Sequence, residues 1–408
     1  MKISCCRICS NNALEPILDL GKQCLSGFFP ETWEQNPPRV PLVLAKCPEC
    51  HLVQLQHSFD VSMLYGEHYG YCSSLNSAMV GHLKTKIKYL QTLVRLESGD
   101  VVLDIGSNDG TSLSFYPPDV RAVGFDPSAA KFRHFYRKDA LLIVDFFNAE
   151  AFKKELGGEK AKIVTSIAMF YDLPNPQEFV LQIKEVLADD GVWHFEQSYM
   201  PAMLQANSYD TVCHEHLEYY SLGQVKYMLD RADMKIIDVQ FNDVNGGSFA
   251  VTASHKRSYY AEAGCIPDIL ANESEMGLGT MAPYLKFREQ AFKHADAVKV
   301  FFEQMKRAGK LVLGYGASTK GNILLQFCEL GPKDLPAIAE VNSFKFGKFT
   351  PGSLIPIISE DEAIDMGPDV FFVLPWHFKE NLIKREQDFL TTGGKMLFPL
   401  PNMELVNF

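Results

Sequence analysis

Long apolar runs are missing from this 408-residue chain: no stretch approaches the ~20 apolar residues that a membrane-spanning helix needs. The opening residues Met1-Lys2-Ile3-Ser4-Cys5-Cys6 likewise lack the apolar core of a signal peptide. Positive charge is in deficit. Against 50 Asp and Glu stand 39 Lys and Arg, a net −11 at pH 7, which excludes a general nucleic-acid or anionic-membrane binder because either partner needs a basic face. A local phosphate pocket is still compatible with that balance. Repeats of fixed period and low-complexity tracts are absent too, and 47% hydrophobic with 22% charged residues excludes wholesale disorder. The expectation is a soluble cytoplasmic protein whose ten cysteines stay reduced. Paired cysteine spacings then point to metal or chemistry before disulfides.

Single hydrophobic cores stop growing near ~250–300 residues, so this length implies more than one unit. Residues 1–75 are cysteine-rich and interrupted by Pro30, Pro37, Pro38 and Pro41. From Met79 to Leu96, apolar residues recur at helical spacing. Short apolar runs then follow at α/β rhythm: Val101–Ile105, Ala122–Phe125, Leu141–Val144 and Lys162–Ser166. That rhythm predicts parallel strands with crossover helices, a doubly wound sheet, over 76–255. A polar interruption from Ser254 to Met281 leads to a predicted long helix, Pro283 to Gly309. A second α/β series fills the rest of 256–408, through Leu311–Gly314, Ala337–Glu340, Val370–Leu374 and Lys395–Phe398.

Four patterns carry chemistry. Cys6-Arg7-Ile8-Cys9 and Cys47-Pro48-Glu49-Cys50 are two CxxC knuckles. Each presents two thiolates to one centre, and together they complete the tetrahedron of a closed, structural Zn²⁺ site. Next, Val101 to Thr111 reads as a strand ending in Asp104, a turn with Gly106, Asn108 and Gly110, and then a helix. Asp126 ends the next strand 22 residues after Asp104, where a nucleotide-binding fold places an acid on ribose hydroxyls. Third, Asp210 to Ser221 concentrates acid and base groups, with His214 and His216 flanking Glu215 and Cys213 just before. Histidine is the natural proton acceptor near pH 7, and His-Glu-His lacks the spacing of a helical metal site. Finally, Gly314-Tyr315-Gly316-Ala317-Ser318-Thr319-Lys320-Gly321-Asn322 is a glycine turn at a helix start, an anion site to which Lys320 adds charge for a diphosphate. Thr319 stands where a dinucleotide fold wants its third glycine, so no NAD site is assigned.

The form D-I-G-x-N-x-G resembles the S-adenosylmethionine (SAM) turn of class I methyltransferases. The ordered set, with the later Lys345-Phe346-Gly347-Lys348-Phe349-Thr350-Pro351-Gly352 stretch, resembles the nucleotide-sugar C-methyltransferases that act on 4-keto-deoxyhexoses, the tetronitrose and related branched-sugar group. That resemblance spans essentially the whole chain. It implies an α/β protein in three parts: a four-cysteine zinc-binding domain (1–75), a class I SAM methyltransferase sheet (76–255) and a Rossmann-like domain that grips a nucleotide diphosphate (256–408). By it, Asp104, Gly106, Asn108, Gly110 and Asp126 hold SAM. Asp145 and Phe146 flank the adenine, and Ser166 to Tyr171, with Met169, form the wall beside the sulfonium. The sugar nucleotide, carried on thymidine or guanosine diphosphate, would meet Tyr69, Ser74, Cys213, Tyr315, Lys320, Asn322, Glu340, Asn342 and Lys345.

Methylating carbon needs a carbanion, and a C4 ketone acidifies the C3–H. By resemblance His216 is the base. Glu215 would hold its imidazole, while Tyr69, Tyr71 or His214 would stabilise the enolate oxygen. Three positions depart from the family pattern: Cys213 replaces a tyrosine, Glu340 an aspartate and Ser343 a proline. The protein is expected as a monomer or weak homo-oligomer with no nucleic-acid or membrane partner. Two other readings compete: an NAD(P)-dependent nucleotide-sugar oxidoreductase or epimerase built on the C-terminal turn, and a non-catalytic zinc adaptor.

Overall fold

Alternating apolar residues, proline breaks and two cysteine knuckles give the first unit short antiparallel strands. The computed structural model, which describes residues 1–59 and 71–408, pairs β1 (Glu15–Cys24), β2 (Arg39–Lys46) and β3 (Val53–Leu55) in that order. The second sheet is built from β4 (Val101–Ile105), β5 (Arg121–Phe125), β6 (Leu141–Ile143), β7 (Ala161–Ile167) and β8 (Leu187–Ser198), all parallel. Before that sheet is finished, β9 (Glu218–Tyr219) leaves it and pairs with β3. An antiparallel hairpin, β10 (Met234–Asn242) and β11 (Ser248–His255), then closes the sheet against β8. The third sheet runs parallel through β12 (Val312–Tyr315), β13 (Ile338–Glu340), β14 (Ile357–Ser359), β15 (Val370–Val373) and β16 (Lys395–Phe398). An antiparallel edge strand, β17 (Glu404–Val406), completes it.

In the second sheet the order is β10-β11-β8-β7-β4-β5-β6, and in the third β14-β13-β12-β15-β16-β17. Direction of growth therefore reverses at β4 and at β12. Ligands of open α/β sheets bind beyond the carboxyl ends of strands at such switch points, and both glycine turns follow those two strands.

The helix expected from Met79 runs Ser77–Leu93, burying Leu83, Ile87 and Leu90, and Asn76 caps it through Ala78 N and Met79 N. The long helix spans Ala282–Arg307. The polar stretch 254–281 differs from expectation because it contains a helix, Ile266–Glu275, which buries Ile266 and Ile269. Its Glu273 is buried and accepts hydrogen bonds from Leu222 N, Gly223 N, Ser221 Oγ and Tyr199 Oη. The charge thus caps the start of the helix Leu222–Arg231 from outside.

Packing joins the units around one segment. A continuous core includes Leu18, Leu44 and Val53 of the first sheet, Tyr209, Val212 and Leu217, and Ile323, Leu324 and Phe371 of the third unit. Residues 200–219 are therefore wedged between the other two units. Among the described residues no helix is long and apolar enough to cross a membrane.

Candidate active site

The two cysteine knuckles converge. All four Sγ atoms of Cys6, Cys9, Cys47 and Cys50 lie within 4.8 Å of one another, with Cys6–Cys50 and Cys9–Cys47 each at 3.5 Å. Zn–S bonds of about 2.3 Å in a tetrahedron set sulfurs just under 4 Å apart, so this donor set fits zinc. Cys6 and Cys47 pack beside Ile8 and Leu52 into the core of the second sheet.

The turn after β4 is bent by left-handed residues, Gly106 (φ 73°), Asn108 (φ 49°) and Gly110 (φ 76°). A Cβ on Gly106 would lie 3.1 Å from Met169 Cγ, so the turn closes against the Met169 side chain. Asp126 accepts from Asn108 N (2.8 Å) through Oδ2, and from Ser128 N and Oγ through Oδ1. Oδ2 keeps a lone pair for a ribose hydroxyl. Asp145 and Phe146 sit exposed at the rim beyond β6, a wall open to an adenine ring. Asp104 is buried beneath the turn, takes Thr165 Oγ1, and is pushed up to about 7 by burial.

Several candidates serve differently from the roles first assigned. Gly110 makes room for Tyr136, whose ring would be 2.8 Å from a Cβ there. Tyr136 Oη in turn bonds Ser107 Oγ and donates to Asn108 O. Ser166 is fully buried and accepts from Trp193 Nε1 at 2.8 Å, so its hydroxyl is committed to the core and not to a cofactor wall. Asn108 replaces a glycine because its side chain is a latch. It accepts from Ser73 N (3.0 Å) and donates to Tyr71 O (3.0 Å). Asp109 takes Ser74 N at 2.7 Å and the Cys72 thiol. The Tyr71–Ser74 segment is thereby stitched over the turn after β4; Tyr69 lies outside the described residues.

In the His-Glu-His segment the three residues point to three places. His214 is fully buried with its ring edge-on to Phe59, 4.7 Å between centroids, and burial pushes it down to about 4. It belongs to the packing against the first unit, not to a pocket shared with His216. Glu215, expected on the imidazole of His216, instead accepts from Ser26 Oγ at 3.0 Å, and a Cβ on Gly27 would stand 2.9 Å from its Oε1. His216 is held by Thr211, its Nδ1 donating to that carbonyl at 3.0 Å. A carbonyl can only accept, so Nε2 carries the lone pair of the neutral ring. Of the run Thr211–Tyr220, His216 alone is not fully buried. The Tyr171 ring meets it edge-on at 4.4 Å. Burial first, and the Lys320 ammonium second, push His216 down to about 3. Cys213 is buried, and burial pushes its thiol up, which keeps it protonated.

The C-terminal turn is tied to its own strand end. Ser318 Oγ caps Gly321 N (3.0 Å). Glu340, at the end of β13, accepts from Ala317 N, Val341 N, Asn342 N and Lys345 Nζ. Lys345 also donates to Ala317 O at 2.7 Å. Four donors fill both oxygens of Glu340, so a ribose finds no acceptor there, a correction to its role as a nucleotide ligand. Asn342 Oδ1 accepts from Phe344 N, and Tyr315 donates to Glu386 at 2.6 Å. Asn322 donates to Ser26 O at 2.8 Å, which joins the third unit to the loop that holds Glu215. Lys320 reaches furthest: its Nζ donates to Asn245 O at 3.0 Å, between β10 and β11. Beside it stand the acid that opens the His-Glu-His segment and a histidine that no motif singled out. Asp210 accepts from Trp376 Nε1 at 2.8 Å, and half-buried His377 is pushed down to about 3 by burial and then by Lys320. The signal that could have found His377 is its place just after β15, on the far side of the switch point.

Three family models match successive parts of the chain. Residues 6–65 match a zinc binding domain, 79–239 a methyltransferase domain and 243–401 a C-methyltransferase C-terminal domain. The C-methyltransferase NovU of Streptomyces niveus is 28% identical over 407 residues, covering 98% of this chain and 96% of that one. Among solved structures, the plantazolicin methyltransferase BpumL in complex with SAH is 15% identical. It covers 42% of this chain and 82% of that one, with a TM-score of 0.34. A SAM-dependent methyltransferase from Clostridium acetobutylicum is 11% identical over 43% of this chain and 92% of its own, also at 0.34.

Proposed function

The chain is a three-domain, SAM-dependent C-methyltransferase, and from that premise we propose that it methylates C3 of a 4-keto-6-deoxy sugar carried on a nucleoside diphosphate. The observation that supports this reading is His216: a neutral imidazole, fixed by the Thr211 carbonyl at Nδ1, at the one partly open position of a buried segment wedged between the first and third units. A ring held this way keeps its Nε2 lone pair aimed without needing a carboxylate partner.

The residues divide the labour. Gly106, Asp126 and the Asp145–Phe146 rim hold the donor, which supplies an electrophilic methyl group when bound. With the N–H groups of Gly314, Gly316, Ala317, Ser318 and Gly321 bonded within the protein, the helix start at Thr319 and Lys320 would turn its N–H groups to the diphosphate. His216 takes the C3 proton, and the resulting carbanion attacks the methyl. Tyr171, edge-on to His216, and the latched Tyr71–Ser74 segment exclude water from a step whose charges cancel as the sulfonium is neutralised. The cysteine domain acts at a distance: β3 pairs with β9, Leu55 N donates to Leu217 O, and Arg7 lies 3.3 Å from Glu218. These bonds clamp the segment that carries the base. The four thiolates would hold zinc as a structural ion.

The test is incubation with SAM and a panel of thymidine- and guanosine-diphosphate-linked 4-keto-6-deoxy sugars. One substrate should gain the mass of one methyl, and His216→Ala should lose about a thousandfold in rate, within the range that a positioned general base supplies. No mass gain on any sugar, or full activity in His216→Ala, sinks this reading. The oxidoreductase alternative is disfavoured because the donors on Glu340 leave no acceptor for the ribose of a dinucleotide.

A further inference from the structure

Lys320 is the second residue of the helix Thr319–Phe327, yet its side chain leaves the glycine turn for the loop between β10 and β11. There the Nζ donates to Asn245 O. An ammonium has three donors, and among the described residues no carboxylate lies within ion-pairing distance of this one. Asp210, the acid whose charge reaches it, spends Oδ2 on the Trp376 indole. The other neighbours whose titration Lys320 affects are the two imidazoles His216 and His377, and the Cys213 thiol. Among the described residues the Nδ1 of His377 is buried without a partner. A half-buried cation with no carboxylate in direct contact is costly unless an anion arrives.

We propose that Lys320 is a catalytic residue: its ammonium donates a hydrogen bond to the ketone oxygen at C4 and holds the negative charge that gathers there when His216 takes the neighbouring proton, with His377 beside it. This rests on the C3-methylation reading above and adds the group that stabilises the enolate. Of the groups first considered for that task, His214 is packed against Phe59 and Tyr71 stands exposed beside the Asn108 latch, Tyr69 lies outside the described residues, and Cys213, where the resembling family has tyrosine, is a weak donor. C1, which carries the diphosphate, and C4 lie across the sugar ring. A single ammonium cannot hold both, and Lys320 Nζ is bonded to Asn245 O, whose residue lines one cavity with Thr211, the residue that holds His216.

The step balances. The proton goes from C3 to His216 Nε2, the C–H pair becomes the C3=C4 bond, and the carbonyl π pair moves onto O4. On methyl transfer the C3=C4 pair forms the new C–CH3 bond, C4=O is restored, and the S–CH3 pair stays on sulfur. A cation next to a base lowers the proton affinity of that base, which is wasteful for proton removal alone. It becomes favourable when the displaced electrons end on an oxygen beside the cation, in a dry site.

That contrast makes the test sharp, because base strength alone would have Lys320→Met speed proton removal. The full-length protein is incubated in D2O with the sugar nucleotide and no SAM, and deuterium at C3 is followed. Lys320→Met should slow exchange and kcat by about a hundredfold or more, on the scale of losing one oxyanion donor. Affinities for SAH, TDP and GDP should stay within about threefold, while Lys320→Arg recovers part of the loss because it keeps charge and donors. Exchange in Lys320→Met equal to or faster than wild type overturns the assignment. So does a tenfold loss of TDP or GDP affinity with exchange intact at saturating sugar nucleotide, which would make Lys320 a diphosphate clamp. If Lys320→Met no longer binds SAH, the decision passes to Lys320→Arg and Lys320→Gln: exchange that follows charge supports the role, and exchange indifferent to it refutes it. Wild-type protein with neither exchange nor methyl gain removes the parent reading instead, and this one with it.

Discussion

The two glycine turns begin from the same plan and end in different trades. Each follows the central strand of a doubly wound sheet, and each has an acid at the end of the adjoining strand that accepts a turn N–H: Asp126 from Asn108, Glu340 from Ala317. The difference is what the acid has left. Asp126 Oδ2 takes a single donor, so it can still accept from a ligand. Glu340 accepts from three backbone amides and Lys345, so it is a structural staple. The partners of the turns differ as well. The first is roofed by Tyr71–Ser74 through Asn108 and Asp109. The second is packed against Pro375 and Leu374, 2.7 Å from a Cβ on Gly316 or Gly321. An acid at a strand end is therefore evidence of a nucleotide ligand only after its donors have been counted.

The largest effect that could break this comparison comes from Glu340→Ala. Orphaning three amides and a lysine should cost about 3 kcal/mol or more of stability, at roughly 1 kcal/mol per neutral and more per charged hydrogen bond. Thermal or urea unfolding measures it, with SAH binding unchanged. If Glu340→Ala instead melts like wild type and loses only sugar-nucleotide affinity, Glu340 is a ligand-holding acid after all. A smaller effect is expected from Asp126→Asn. Calorimetric SAH titration should show affinity reduced about tenfold to a hundredfold, the range for a hydrogen bond to a charged group, with a modest change in melting. Unaltered SAH affinity would mean the ribose sits elsewhere.

The strands and both turns were legible in the sequence because their signals are local: apolar runs of four or five residues punctuated by glycine and acids. Convergence of the four cysteines was legible for the same reason, since paired spacing on turns survives any loop length between them. What the chain hid are contacts between distant segments. Nothing near Glu215 says that its partner is Ser26, 189 residues earlier, or that the Thr211 carbonyl would hold His216 in its place. The polar look of 254–281 concealed a helix because Glu273 is spent capping another helix, and charge counts as loop signal in a one-dimensional reading. His377 escaped because no motif marks a residue whose role is set by the neighbour that a second unit delivers.

The mildest expectation concerns pH, and it asks whether the second turn reaches into the chemistry of the first. A solvated imidazole titrates near 6.5, and activity that depends on its neutral form would then fall below neutrality. His216 is pushed down to about 3, by burial and then by Lys320, so the base form persists through the mildly acidic range. A depressed histidine loses its function only as pH drops through the folded value. The kcat profile of wild type should therefore stay flat from about pH 5 to 8, with no limb centred near 6.5. In Lys320→Met the positive charge is gone while burial remains, so an acid limb should climb toward neutrality without reaching the solvated value. A wild-type limb at 6.5, unmoved in Lys320→Met, would show that the two turns share a cleft but not a charge balance. The cation on the second helix would then have no hold on the proton that the middle unit removes.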